Sequence, residues 1–247
     1  HPEEKFQDMA TVFIDIRKRV RFLPEMGKKA KLVCIPTTAG TGSECTPFTI
    51  ISDANTGMKR PIIGYQMMPE MAIVDAENMM NLPPKATQAS GYDVLTHAVE
   101  AYVSLLATDY TDGFAKTACK LVFDYLPRAY HNGAKDPEAR EKMGDASAIA
   151  GIAFGNAFLG INHSLSHKVG GWFHIPHGTA NALMYTTVCR YNANRTPTKM
   201  GTFSQYKYPH AFERYVELAE YCGFKGATAE ESFENWIQAG EDLKKEI

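Results

Sequence analysis

The chain has 247 residues, of which 45% are hydrophobic and 22% are charged, and its formal net charge is −2. This composition excludes a disordered chain. The sequence has no excess of positive charge, so we expect neither nucleic acid nor an anionic membrane as a partner. The five cysteines are scattered without a C-x-x-C pair, which argues against a disulfide framework or a thiolate zinc site and favours a cytoplasmic location. No apolar run approaches the length of about 18 residues that a membrane-spanning helix needs.

The first 80 residues mix helical and strand patterns. Apolar side chains at helical spacing predict an amphipathic helix over residues 3–22. Short apolar runs predict strands at 31–36, 47–52 and 71–75. These elements predict an α/β part over residues 1–80.

The pattern becomes helical after Pro83 and Pro84. Apolar residues at helical spacing predict helices at 86–106, 113–130, 137–159, 178–192, 209–222 and 228–245. Capping signals agree with several of these limits, namely Asp136 before Pro137, Gly223 after Cys222, and a capping box of Thr228 with Glu231. We therefore expect an all-helical part over residues 85–247.

Histidines are concentrated in one segment of the helical part. Four of the eight in the chain fall between His163 and His177. If residues 163–171 are helical, His163 and His167 lie on one face, and Pro176 then turns the backbone so that His177 approaches from another direction. The remaining member, His174, falls off this spacing and is interpreted as a structural residue that hydrogen-bonds nearby backbone.

A carboxylate and a further histidine lie some seventy residues upstream. Asp93 and His97 are spaced i and i+4 in an otherwise apolar predicted helix, where both are costly to bury without a partner. Together with His163 and His177 they offer one carboxylate and three imidazoles, a set that suits iron or zinc and disfavours magnesium or calcium. The alternative is that each histidine is a satisfied core or surface residue.

Residues 37–44, TTAGTGSE, join two predicted strands. A Rossmann fingerprint or a Walker loop leads from a strand into a helix, so this segment is neither. Its hydroxyl groups surround two glycines whose backbone amides can approach a phosphate closely; the hydroxyl residues are Thr37, Thr38, Thr41 and Ser43. Composition alone favours the alternative of a flexible hairpin loop. Lys59, after the next turn, is then expected on the surface.

Three segments resemble the signatures of the iron-containing, or group III, alcohol dehydrogenases. They are IPTTAGTGSE at 35–44, GYDVLTHAVEAYVS at 91–104 and HSLSHKVGGWFHIPHGTAN at 163–181. The resemblance covers nearly the whole chain and is particularly marked for the alcohol dehydrogenase portion of bifunctional aldehyde-alcohol dehydrogenases. It implies a dinucleotide-binding α/β part, here incomplete at its N-terminus, followed by an all-helical metal-binding domain, with the active site in the cleft between them.

The resemblance also implies roles for individual residues. The metal ligands would be Asp93, His97, His163 and His177, with Fe(II) as the ion and Zn(II) as the alternative. NAD would be bound by Thr37, Thr38, Thr41, Gly42, Ser43 and Lys59. His167 would relay the alcohol proton, which requires a pKa near neutrality. The expected reaction is reversible hydride transfer between a primary alcohol or aldehyde and NAD(H).

Two departures from the family pattern shape further expectations. Members carry a Gly-Gly-Gly-Ser phosphate-binding segment upstream, and the sequence lacks it, so we expect a part of a longer enzyme with weak NAD(H) binding. The final helices are expected to be cut short after Ile247. A homo-oligomer is expected, with a filament as the further possibility in a bifunctional relative. The competing interpretations are a metal-dependent lyase or hydrolase related to dehydroquinate synthase, and a non-catalytic fragment with an assembly role.

Overall fold

A computed structural model describes residues 27–57, 59–196 and 210–247. The helix predicted over residues 3–22 lies outside these ranges. Two small sheets form the α/β part: β1 (Val33–Cys34) pairs in parallel with β4 (Met71–Ala72), and β2 (Phe48–Ser52) pairs antiparallel with β3 (Lys59–Ile63). The first and third predicted strands are thus confirmed in place but are shorter than expected.

Strand β3 has no counterpart among the predicted elements. Its sequence, KRPII, begins with two cations and contains Pro61, which lacks the N–H that a ladder needs. It forms because the turn from Asp53 to Gly57 folds the chain back onto β2. Gly57 adopts a positive φ of 67° in this turn, a conformation that glycine takes without strain.

The helical part follows the predicted order closely. The helices are α1 (Pro84–Val103), α2 (Asp109–Asn132), α3 (Pro137–Ala157), α4 (Ile161–Phe173), α5 (His177–Asn192), α6 (Ala211–Cys222) and α7 (Ala229–Glu246). Helix α2 starts four residues earlier than predicted because Thr108 and Thr111 form a capping box there. The predicted fold class, an α/β part followed by a helical domain, is confirmed.

Helix ends obey local capping chemistry with one difference from expectation. Gly223 ends α6 with a positive φ of 95°, as predicted. Thr228 accepts a hydrogen bond from the backbone N–H of Glu231 at 3.1 Å, but the Glu231 carboxylate accepts from Ala227 and not from Thr228. The predicted capping box of α7 is therefore only half formed.

Helix α1 is the centre of the helical part. Every residue from Gly91 to Tyr102 is buried, and the helix packs against α2, α3 and α5. Because α1 is buried on all sides, it has no polar face toward solvent, and its polar residues lie in the interior beside its apolar ones. Asp93 and His97 are consequently interior side chains.

Among the residues that the structure describes, no single helix is long and apolar enough to cross a membrane. Helices α3 and α4 reach that length and apolarity only when taken together, and a bend of 109° separates them.

Candidate metal centre

Three helices bring the four predicted ligands to one point. Asp93 and His97 lie one turn apart on α1, and His163 lies in the first turn of α4. The backbone then reverses, because His174 ends α4 in the left-handed region with φ 55° and Pro176 precedes α5. His177, the first residue of α5, therefore faces the same point from the opposite side.

The four side chains present one donor atom each, and these atoms all lie within 4.8 Å of one another. From Asp93 Oδ1 the Nε2 atoms are 3.9 Å away in His97, 3.6 Å in His163 and 3.7 Å in His177. Asp93, His97 and His163 are buried, whereas the His177 side chain is 28% exposed. The cluster thus opens toward solvent on the His177 side.

Close backbone contact between α1 and α5 makes this convergence possible. Gly178 follows His177 directly, and a Cβ atom there would lie only 1.8 Å from the carbonyl oxygen of Ala89 on α1. The same atom would lie 3.2 Å from Asp93 Cβ. Only glycine allows the start of α5 to approach α1 this closely.

Glu100 supports the ligand His163 and was not predicted from the sequence. Its Oε1 accepts from the backbone N–H of Asn162 at 2.7 Å, and its Oε2 bonds His163 Nδ1. A carboxylate on the far nitrogen fixes the ring and directs Nε2 toward the cluster. A signal was available, since Asp93, His97 and Glu100 follow the i, i+4, i+7 spacing of one helical face.

Asn181 also lies within the cluster and was likewise not predicted. Its amide nitrogen lies 2.6 Å from Asp93 Oδ1, 3.1 Å from His163 Nε2 and 3.3 Å from His177 Nε2. Its position four residues after His177 places it on the same face of α5. The i, i+4 spacing of this asparagine from a candidate ligand is the signal that the sequence offered.

Burial and mutual charge set the protonation of the cluster. Burial lowers the pKa of His97 to about 3 and also lowers the pKa of His177. Burial works to raise the pKa of Asp93, but its histidine neighbours, led by His97, hold it below its usual range. Burial likewise opposes charge on His163, yet Glu100 and Asp93 raise its pKa to about 9. The Asp93 carboxylate is therefore ionised and can serve as an anionic ligand.

The donor set fits a divalent ion of the iron or zinc type. Three imidazole nitrogens and one carboxylate oxygen suit these ions, and they disfavour magnesium and calcium, which prefer oxygen ligands. A cation would take the place of the His163 Nε2 proton, as metal binding generally displaces protons from its ligands. On the side away from solvent, the His97 ring stacks on Phe154 at a centroid distance of 4.4 Å, which keeps water from that face.

The comparisons with known proteins agree with this geometry. Residues 87–247 match the Fe-containing alcohol dehydrogenase family, C-terminal, and residues 7–76 match iron-containing alcohol dehydrogenase. The chain belongs to the iron-containing alcohol dehydrogenase family.

Similar proteins in this family are much longer than this chain. It is 50% identical to the bifunctional aldehyde-alcohol dehydrogenase of Escherichia coli K12 over 100% of its own length and 28% of the relative. It is 51% identical to aldehyde-alcohol dehydrogenase 2 of Entamoeba histolytica, over 99% of the chain and 28% of the relative. The chain thus spans little more than a quarter of these relatives.

Solved structures of the family share its fold. The iron-containing alcohol dehydrogenase of Thermococcus thioreducens superposes with a TM-score of 0.81 at 32% identity, over 99% of this chain and 57% of that one. The sulfoacetaldehyde reductase of Bifidobacterium kashiwanohense, solved in complex with NAD+, gives 0.78 at 34% identity, over 92% and 54%.

His167 and Lys59 lie beside the cluster of four donor residues. The His167 ring is half-buried, with its centroid 5.0 Å from that of His177. Burial lowers its pKa to about 3, aided by His177 and Lys59, so the expected value near neutrality is not met. Lys59, the first residue of β3, is half-buried, and its Nζ lies 3.7 Å from where a Cβ of Gly170 on α4 would lie, so it is less exposed than the flexible-loop alternative implied.

The segment from Thr37 to Glu44 packs against helices α1 and α3 of the helical part. A Cβ at Gly40 would lie 2.6 Å from Ser90 Cβ on α1, and one at Gly42 would lie 2.7 Å from Gly151 Cα on α3. The segment joins β1 of one sheet to β2 of the other, so the hairpin-loop alternative is wrong. The hydroxyl residues are mostly on the outer side: Thr37, Thr41 and Ser43 are exposed and Thr38 is half-buried.

The remaining histidine of the segment, His174, is exposed and takes the left-handed conformation that ends α4. It lies outside the set of converging donor atoms. Its contribution is to the backbone reversal between α4 and α5.

Proposed function

We propose that this chain catalyses metal-dependent, reversible hydride transfer between a primary alcohol or aldehyde, of the ethanol and acetaldehyde type, and NAD(H). The observation that carries the proposal is the convergence of one carboxylate oxygen and three imidazole nitrogens at a point open on one side. The printed names of the relatives support the reaction class, and the NAD+ complex of one structural neighbour supports the cofactor.

In this proposal the metal ligands are Asp93, His97, His163 and His177, with Fe(II) as the ion and Zn(II) as the alternative. When bound, the ion supplies Lewis acidity that lowers the pKa of an alcohol. The protein's part is to hold the donor atoms and to exclude water from the face that Phe154 covers. Glu100 keeps the proton of His163 on Nδ1, so that Nε2 remains the donor atom.

We propose that His167 moves the alcohol proton. Its half-buried ring lies beside His177, the partly exposed member of the cluster, and this position supports a role in passing the proton toward solvent. Because the ring is neutral, it accepts a proton at one nitrogen as it releases one from the other, and it need not store charge.

We propose that the nicotinamide cofactor lies along the segment from Thr37 to Ser43. The exposed hydroxyls support this position, with Thr41 Oγ1 donating to Ser43 Oγ at 3.0 Å, as does the tight packing of Gly42 beneath them. Lys59 lies close enough to His167 and His177 to lower the pKa of both, and a cation there would attract the anionic cofactor. The cofactor residues proposed are Thr37, Thr38, Thr41, Gly42, Ser43 and Lys59.

The test compares three alanine variants. His163→Ala and His177→Ala should lose bound metal together with turnover, whereas His167→Ala should keep its metal and lose turnover. Metal content per chain, measured on the purified proteins, separates the two outcomes. Stoichiometric metal in His177→Ala would show the ligand assignment to be wrong. Quenching of protein fluorescence by NADH distinguishes a dehydrogenase from a hydrolase with the same ligands.

We further propose a cytoplasmic location and a homo-oligomer. All five cysteines are free thiols, which supports a reducing compartment. Size-exclusion chromatography with light scattering tests the oligomeric state, and a monomer at micromolar concentration would contradict it.

A further inference from the structure

Asn181 is not one of the four proposed ligands, yet its side chain contacts three of them. The side chain is fully buried, and its amide nitrogen lies within hydrogen-bonding distance of Asp93, His163 and His177. The amide group faces Asp93 Oδ1 and the Nε2 atoms of His163 and His177, which belong to three of the four donor residues. Asn181 therefore holds side chains from α1, α4 and α5 together.

Asn162 determines which end of this amide faces the cluster. Its Nδ2 donates to Asn181 Oδ1 at 3.0 Å and to the Asn181 backbone carbonyl at 3.2 Å. If the Asn181 amide were reversed, its NH2 group would face the NH2 group of Asn162, which would keep only the backbone carbonyl as acceptor, and its oxygen would face the Asp93 carboxylate. Asn162 is 1% exposed, so water cannot replace the lost bonds.

The orientation has a chemical consequence for cation binding. An amide nitrogen has no available lone pair, so it can support ligands but cannot be one, whereas an amide oxygen is a good ligand for a hard cation. With nitrogen toward the cluster, Asn181 keeps Asp93 Oδ1 directed at the other donors. Its own oxygen stays outside, so the protein offers the ion four ligands and not a fifth.

We propose that Asn181, oriented by Asn162, is a positioning residue that pre-organises Asp93, His163 and His177 for the cation and withholds its own oxygen from the ion. The inference rests on the proposed metal-dependent function. It predicts that the two side chains act as one unit, since the Asn162 side chain is linked to the ligands through its hydrogen bonds to Asn181.

The test measures Co(II) binding to the metal-free protein by competition with a chromophoric chelator, together with the visible spectrum of bound Co(II). Asn181→Ala should weaken Co(II) binding by about 10- to 100-fold and change the spectrum, because Asp93 is free to rotate. Asn162→Ala should act in the same direction with a smaller effect. The double variant should match Asn181→Ala within about threefold, as expected for coupled residues.

A matched control is Asn156→Ala, which removes an exposed amide on α3 that bonds only Ile152 of its own helix. It should leave affinity and spectrum unchanged. Thermal unfolding of each metal-free variant checks the fold, and Asn162→Ala carries the test if Asn181→Ala does not fold. Wild-type affinity and spectrum in both single variants would overturn the inference. Failure of the unaltered protein to bind Co(II) would overturn the metal centre itself, and the inference with it.

Discussion

Gly178→Ala should remove the metal site without altering any ligand. Gly178 lies next to His177 at the start of α5, where α5 crosses α1. An added methyl group would lie 1.8 Å from the carbonyl oxygen and 2.6 Å from the carbonyl carbon of Ala89. Both are backbone atoms within a helix, so they cannot rotate away as the end of a flexible side chain can.

The size of the effect follows from these distances. Real Cβ contacts are essentially never shorter than 3.0 Å, so α5 must retreat from α1 by about 1.2 Å at this point. Metal to ligand distances tolerate only about 0.2 Å. His177 would thus move out of reach of the ion that Asp93 holds. We expect at least about a 100-fold loss of affinity, comparable to losing a ligand.

The assay is metal content together with thermal unfolding in the presence and absence of EDTA. Bound metal at 100 times its dissociation constant should stabilise the unaltered protein by about 2.7 kcal/mol, and Gly178→Ala should gain no such increment. Without metal, overpacking should cost Gly178→Ala about 1 to 3 kcal/mol.

Gly113→Ala is the matched control. Gly113 lies within α2, is exposed, and a Cβ there would have no atom within 4 Å. This variant should be more stable than the unaltered protein by about 0.5 to 1 kcal/mol and should keep its metal. A Gly178→Ala protein that folds and binds metal as tightly as Gly113→Ala would refute the reasoning from backbone contact.

Two further predictions concern Glu100 and Cys45. Glu100→Gln should weaken Co(II) or Zn(II) binding by about 10- to 100-fold, measured by chelator competition. The reason is that the new amide can donate to His163 Nδ1 and so place the ring proton on Nε2, the nitrogen that binds the metal. An unchanged affinity would show that the carboxylate does not set the tautomer. Cys45 is half-buried, and burial raises its pKa to about 11 with help from Glu44. Since the thiolate is the reactive form, alkylation at pH 7.5 should be about two orders of magnitude slower than in the urea-unfolded protein and should speed up as pH rises. Peptide mapping by mass spectrometry measures the rate at this cysteine, and equal rates in both states would contradict the prediction.

Local spacing along the sequence determined the helices and the pairing of candidate ligands within each helix. The i, i+4 relation of Asp93 and His97 is fixed by helical geometry once α1 is helical, whatever surrounds it. The turn at Pro176 is likewise a local property of the chain. These features were predictable because they depend on neighbours within a few residues.

Strand β3 and the segment before β2 were not predictable in the same way. The KRPII sequence of β3 is a poor strand by itself, and it pairs only because β2 offers a partner. The segment around Gly42 has the composition of a flexible loop, yet contacts with Ser147 and Gly151 of α3 hold it in place. Both outcomes depend on groups distant in sequence.

The sequence by itself therefore determined which donor types are present, and in which helices, while the tertiary structure decided that they meet. The separation of α1 from α5 depends on the contact between Gly178 and Ala89, where an added Cβ would lie only 1.8 Å from the Ala89 carbonyl oxygen. The supporting polar groups, Glu100 and Asn181, act across helices through hydrogen bonds that no spacing rule encodes. Periodicity constrains direction around one helix axis, but only packing fixes the distances between axes, and metal binding depends on those distances.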